Sequence, residues 1–210
     1  MRFTKIPETT FKQIQLNAGI LATKFNPETG ELKGEDIIGA TSGGVAFEAT
    51  PEYSDYGEDI DNCPKNMKEL KVLDNVEAKF SGSFVTVSES MIKLLVGSAT
   101  ASGGKITPRR DLEAEDFTEL WWVGDYSDDN SEENGGFVAV HMLNALSTGG
   151  FKIQSTDKGK GQFEFEFTGH YSMAEQDRVP YEVFIKDEAS KVNLTAADAP
   201  RVATKATKAE

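Results

Sequence analysis

QFEFEFT, residues 162–168, decides the fold class. Phe163, Phe165 and Phe167 alternate with Glu164 and Glu166, and successive side chains of an extended strand point to opposite faces, so one wall of this segment is apolar and the other acidic. The same reading extends along the chain in both directions. Stretches with strand character recur at 13–25 (QIQLNAGILATKF), 36–50 (DIIGATSGGVAFEAT), 76–88, 117–127, 137–146, 150–157, 162–172 and 179–187. NPETG, SDDNSEENGG, STGG and DKGKG separate them, supplying the Gly, Asn and Asp that tight connections need. Gly82, inside 76–88, predicts a bulge or a close backbone approach.

A single helix stands among these strands, SESMIKLLVG at 88–97. Ser88 is its cap, Glu89 suits the positive end of the helix dipole, Met91, Leu94 and Leu95 share a face, and Gly97 closes it. Together the elements predict a mainly β domain with one short helix over the open end or one face of a sheet. Residues 11–188 form that domain, residues 1–10 read as an arm, and 189–210 read as a mobile tail of Ala, Thr and Lys with little apolar area.

One segment departs from the pattern. TPEYSDYGEDIDNCPKNMKELK, residues 50–71, lacks both strand alternation and a helical stripe, and it predicts a long loop between strands. Tyr53, Tyr56, Ile60, Pro64, Met67 and Leu70 stud it, and aromatic and Met side chains are types that protein interfaces favour. These six are the predicted subunit-interface residues, with another copy of the chain as partner. The competing reading is a loop folded back on its own domain.

Thirty-five acidic against 22 basic residues give a formal net charge of −13, which opposes any function that grips nucleic acid through Lys and Arg. Ten carboxylates fall between Asp111 and Glu133 with no Lys or Arg among them, the pattern of a solvated surface. No apolar run approaches the ~20 residues that span a bilayer, and the N-terminal MRFTKIPETTFKQIQL lacks the pattern of a secretory signal, so a cytoplasmic site of synthesis and no membrane partner are expected. Cys63 is the only cysteine, so no internal disulfide is possible.

Motifs for chemistry are weak. His141 and His170 both lie inside strand patterns with no nucleophile signature beside them. Cys63 lacks partner ligands for zinc. DYSDDNSEENGG, residues 125–136, carries Asn130 and Gly136 where a calcium loop needs Gly and Glu. GGKIT and GKGQFE fall short of phosphate-binding loops, and Glu164 and Glu166, side by side on one strand, cannot flank a glycosidic bond from opposite sides. No catalytic residue, cofactor or metal is expected.

The order GILAT, a turn, DIIGATSGGVAFEATPEYSDYGEDIDNCPKNMKELKVL, NVEAKFSGSFVTVSESMIKLLVGSA, FTELWWVGDYSD, a Gly-rich loop and GGFVAVHMLNALSTGGFKIQSTDKGKGQFEFEFTGHYS resembles the major tail (tail tube) proteins of long-tailed bacteriophages, especially those of Gram-positive hosts. It covers residues 10–187. The resemblance implies an antiparallel β-sandwich or barrel-like domain flanked by a short helix, in a structural virion protein of the tail made in the bacterial cytoplasm. Six copies would form a ring, and stacked rings a hollow tube that conducts DNA without binding it specifically. The long loop at 50–71 would reach a neighbouring subunit, and a tape measure protein, a tail terminator and distal tail proteins would be further partners. Glu164 and Glu166, opposite the phenylalanine face, would line the lumen, where carboxylates repel phosphates at contact range. Two other readings stand beside this one: the tube of a contractile tail or secretion-type apparatus, and a carbohydrate-binding or adhesive β-sandwich using Trp121 or Trp122. Adjacent strand residues face opposite ways, so only one of these tryptophans can serve a given site.

Overall fold

Within the described residues, 14–126 and 136–186 of the computed structural model, ten strands and one α-helix follow one another. They are β1 (Gln15–Ala22), β2 (Thr41–Asp55), β3 (Lys71–Phe84), α1 (Glu89–Val96), β4 (Ala99–Ser102), β5 (Lys105–Pro108), β6 (Thr118–Tyr126), β7 (Gly136–Ser147), β8 (Lys152–Gln154), β9 (Gln162–Gly169) and β10 (Tyr181–Lys186). The fold is mainly antiparallel β and sandwich-like, as expected. The expected arm at 1–10, the tail at 189–210 and most of the weighed calcium loop lie outside the described residues. No described helix is long and apolar enough to cross a membrane.

The sheet runs in the order β1-β6-β7-β9-β3-β2, with β10 added beside β7 and β8 beside β9. Strand β7 divides it. Its first part, from Phe137 to Met142, is held between β6 and β10, whereas Ala145, Leu146 and Ser147 pair with Gly169, Thr168 and Phe167 of β9. One half of the sandwich is therefore β1-β6-β7-β10 and the other is β2-β3-β9-β8, hinged on a shared strand.

The core fills the space between the halves. Leu21, Leu120, Val140 and Met142 come from one, and Phe80, Phe84, Phe163, Phe165 and Phe167 come from the other. Fully burying a side chain of this size contributes about 1.5–3 kcal/mol, so the phenylalanine wall dominates cohesion. The rings interlock, Phe84 on Phe165 at 4.5 Å between centroids and Phe47 on Phe80 at 5.0 Å. Gly82 is small because the ring demands it: an added Cβ would stand 2.8 Å from Phe165 Cζ.

Helix α1 forms as its sequence dictates. Ser88 Oγ accepts the Met91 backbone N–H at 3.1 Å, Gly97 turns away at φ 79°, Met91 and Leu95 are buried, and Leu94 packs half-buried on the same core.

The segment 50–71 differs from expectation. Its first six residues continue β2, its last begins β3, and only 56–70 is loop. One feature hid the strand. Pro51 breaks a strand pattern but is tolerated here because β2 is an edge strand, paired only with β3. A second difference is the hairpin β4–β5, closed by Gly103 and Gly104 at positive φ, which is absent from the strands expected from sequence. A third lies in the acidic run. Asp116 is buried, its carboxylate bound by Arg109 Nη2 at 2.7 and 2.9 Å and by the Glu113 N–H at 2.9 Å, and Glu113 pairs with Arg109 as well. The cation stands two residues before the run begins.

The β6-β7-β10 layer is apolar on its outer side too. Trp121, Phe137 and Ala139 form a second small core there, roofed by Phe25 from the loop after β1 and by Phe184. His141 stacks on Trp121 with centroids 3.8 Å apart and planes 8° from parallel. Its Nε2 lies 3.3 Å from Glu119 without hydrogen-bond alignment, Glu182 is 3.8 Å from Nδ1, and Arg178 holds Glu182 from the far side at 2.9 Å. Burial depresses the imidazole pKa below its ordinary 6.5, outweighing the two carboxylates that raise it, and Arg178 depresses it further. As pH falls through 6.5 the unfolded chain takes up the proton before the folded one does, so the contribution to stability is full above that pH and is lost on acidification. His141→Gln is expected to flatten the dependence of the unfolding midpoint on pH below 6.5. An unchanged slope in that variant would show that other groups govern it.

Candidate functional site

Strands β2 and β3 outrun the domain that bears them. Lys79 pairs with Thr168 near the end of β9, yet β3 starts at Lys71, so the hairpin extends about 27 Å past the last rung it shares with β9 at ~3.4 Å per residue. The outer half of this arm is exposed on both sides. Pairing of Tyr53 with Leu73 puts both on the side that, nearer the body, carries Phe47 and Phe80 into the core. The apolar face continues after the core has ended.

The tip, residues 56–70, is ordered by its own bonds. The Asp55 carboxylate accepts the backbone N–H groups of Gly57 and Asn66, both at 2.9 Å, and these hold its pKa below the ordinary carboxylate value. Tyr56 N–H donates to Leu70 O at 3.0 Å, and Asn62 and Asn66 take the left-handed conformations that asparagine tolerates best after glycine. Gly57 is buried under Leu70, which an added Cβ would meet at 2.9 Å. Cys63 Sγ rests 3.5 Å from Met67 Sδ.

The six predicted interface residues all fall on this arm. Tyr53, Tyr56 and Ile60 are 56%, 65% and 52% exposed, Pro64 and Met67 are exposed as well, and Leu70 is half-buried because it packs the tip. Val72 and Leu73 belong with them and were missed, since in sequence they read as the approach to a core strand. No described part of the domain covers these side chains.

Glu164 and Glu166 do lie opposite the phenylalanines. Glu164 is exposed, and Glu166 is half-buried beside Thr148, whose hydroxyl donates to it at 3.3 Å. Register places Ser83 and Ser81 next to them and Glu48, Lys79 and Glu77 further across the same face, with Lys79 bound to Glu77 at 2.7 Å. That bond raises the Lys79 pKa, so it stays charged. The face is acidic with a partial counter-charge.

The domain offers little to a small ligand. Among the described residues no group of three or more His, Cys, Asp or Glu is placed to hold a metal. A cavity of about 240 Å³ lies between α1 and the 35–38 segment, but its deepest carboxylate, Asp116, is already spent on Arg109. His170 Nδ1 contacts Asn144 O at 3.2 Å, a packing role. Trp121 is sealed in the outer core at 6% exposure, so its ring is not presented as a sugar platform, and Trp122, half-buried on the opposite face against the main core, donates its indole N–H to Ala18 O at 3.1 Å. No family model and no curated protein matches this chain. Its site must be read from its own geometry.

Proposed function

We propose that this chain is a structural subunit that polymerises as stacked hexameric rings into a hollow tube, the tail tube of a long-tailed bacteriophage, through which DNA passes. The observation that carries this reading is the projecting hairpin, ordered within itself, exposed on both sides over its outer half and rich in apolar side chains. A sheet extension of this kind is costly for a monomer, because unpaired edges and exposed apolar strips invite association. It makes sense when its counterpart is another chain.

Two further features support the reading. Strands β2 and β8 leave both edges of one half open, and closing such edges around a ring removes them. The face bearing Glu48, Glu77, Glu164 and Glu166 is suited to a lumen, since carboxylates at contact range keep phosphates from adhering even with a screening length of ~8 Å. On this reading the protein resides in the virion tail, is assembled in the bacterial cytoplasm, and meets a tape measure protein inside the tube and terminator and distal proteins at its ends.

Electron microscopy of the purified protein across a concentration series tests the proposal. Rings or tubes of uniform width are expected, growing with concentration and time. A monodisperse monomer that persists at the highest concentration would overturn it.

A further inference from the structure

The arm needs a seat, and charge suggests where it is. Between Glu52 and Asp74 the arm carries seven carboxylates against three lysines. Lys65 is matched by Glu58 at 3.9 Å, Lys68 by Glu69 at 3.5 Å, and Lys71 sits 5.5 Å over the Tyr53 ring. Asp59 and Asp61, at the tip beside Ile60, form no ion pair among the described residues. The arm is apolar and acidic together.

The β8–β9 hairpin has the complementary character. Every residue from 151 to 160 is exposed, including Phe151 at 45% and Ile153 at 60%. Lys152, Lys158 and Lys160 stand among them with Asp157 as the one acid, and none of the three lysines forms an ion pair among the described residues. In a chain of net charge −13 this is a local reversal of sign. It also borders an edge strand, since β8 pairs only with β9.

We propose that the arm of one copy seats on the β8–β9 hairpin of a second copy, Phe151 and Ile153 meeting the arm's exposed apolar side chains, and Lys158 and Lys160 meeting Asp59 and Asp61. This rests on the tube reading and names its contact. The two surfaces lie at opposite ends of one sheet: the arm leaves past the Gly169 end of β9, and the turn before Gln162 closes the other end. No copy can satisfy its own arm this way, and a contact between unlike patches at opposite ends repeats from copy to copy. The product is a stack rather than a closed pair.

The test uses the full chain. Under a mild oxidant Lys158→Cys is expected to couple to the native Cys63 of the next copy, giving a ladder of covalent multimers on a non-reducing gel that Cys63→Ser abolishes. In parallel, Lys158→Glu with Lys160→Glu, and separately Asp59→Lys with Asp61→Lys, are expected to lower assembly at fixed concentration by about tenfold or more, with recovery when all four changes are combined. Asp59, Asp61, Lys158 and Lys160 are exposed and Cys63 is half-buried, and circular dichroism checks that each variant is folded. Absence of any cross-link, products that stop at dimers, or no recovery in the combined variant would each overturn the seat. If the parent protein nevertheless forms tubes in the microscope, only the seat is wrong; if it forms none, the tube reading falls separately.

Discussion

Replacing residues 56–70 with Asn-Gly is expected to yield a folded protein that does not assemble. Asp55 and Lys71 are ladder partners, so a two-residue turn of the type that matches strand twist closes the hairpin without disturbing a rung. The deleted segment contributes nothing to either apolar core, and its one buried residue, Gly57, is covered by Leu70 of the same segment. Stability should therefore change by about 1 kcal/mol or less, a shift of only a few degrees in the melting midpoint. Sedimentation and microscopy should find the variant monomeric where the parent forms rings or tubes. An unfolded product would mean that the tip belongs to its own domain's core. Normal tubes would mean that some other surface makes the contact.

The second large effect is on stability and separates the two faces of one layer. Phe80 is fully buried, in ring contact with Phe47 and opposite Phe167 in the ladder. Phe80→Ala is expected to cost about 3–5 kcal/mol, through lost transfer energy and the cavity left behind. That is a large part of the 5–15 kcal/mol that typically holds a domain together. Glu164→Ala, on the other face of the same layer, should stay within about 0.5 kcal/mol. Denaturant midpoints of the two variants measure the contrast. Equal losses would place the apolar core elsewhere.

Much of this arrangement could be read before any coordinate, and the failures have physical causes. The alternation of Phe163, Phe165 and Phe167 with Glu164 and Glu166 and the Ser88-capped helix were legible because each is a local pattern set by backbone geometry alone. The arm was recognised for its anchors but drawn too long as a loop, because Pro51 is acceptable only on an edge, and a strand's place in the sheet is not written in its own residues. Asp116 belongs to a run whose pattern is that of a solvated surface, because its cation, Arg109, precedes the run and only the capping turn between them brings the two together. Trp121 and Trp122 point opposite ways as expected. That the Trp121 face is roofed depends on Phe25, far away in sequence, and on β10 joining β7 and bringing Phe184 over it. The lysines of the proposed seat at 151–160 are visible in the sequence, but the exposure of its apolar residues is not. Phe151 and Ile153 read as ordinary strand residues, and only the short extent of β8 leaves them uncovered.

Strand β7 has a consequence for how the molecule comes apart. Because it is laddered to β6, β10 and β9 at once, neither half of the sandwich can melt while the other persists without tearing hydrogen bonds from the shared strand. Unfolding is then a single cooperative event, and the amides of β7 exchange with solvent only when the whole domain opens.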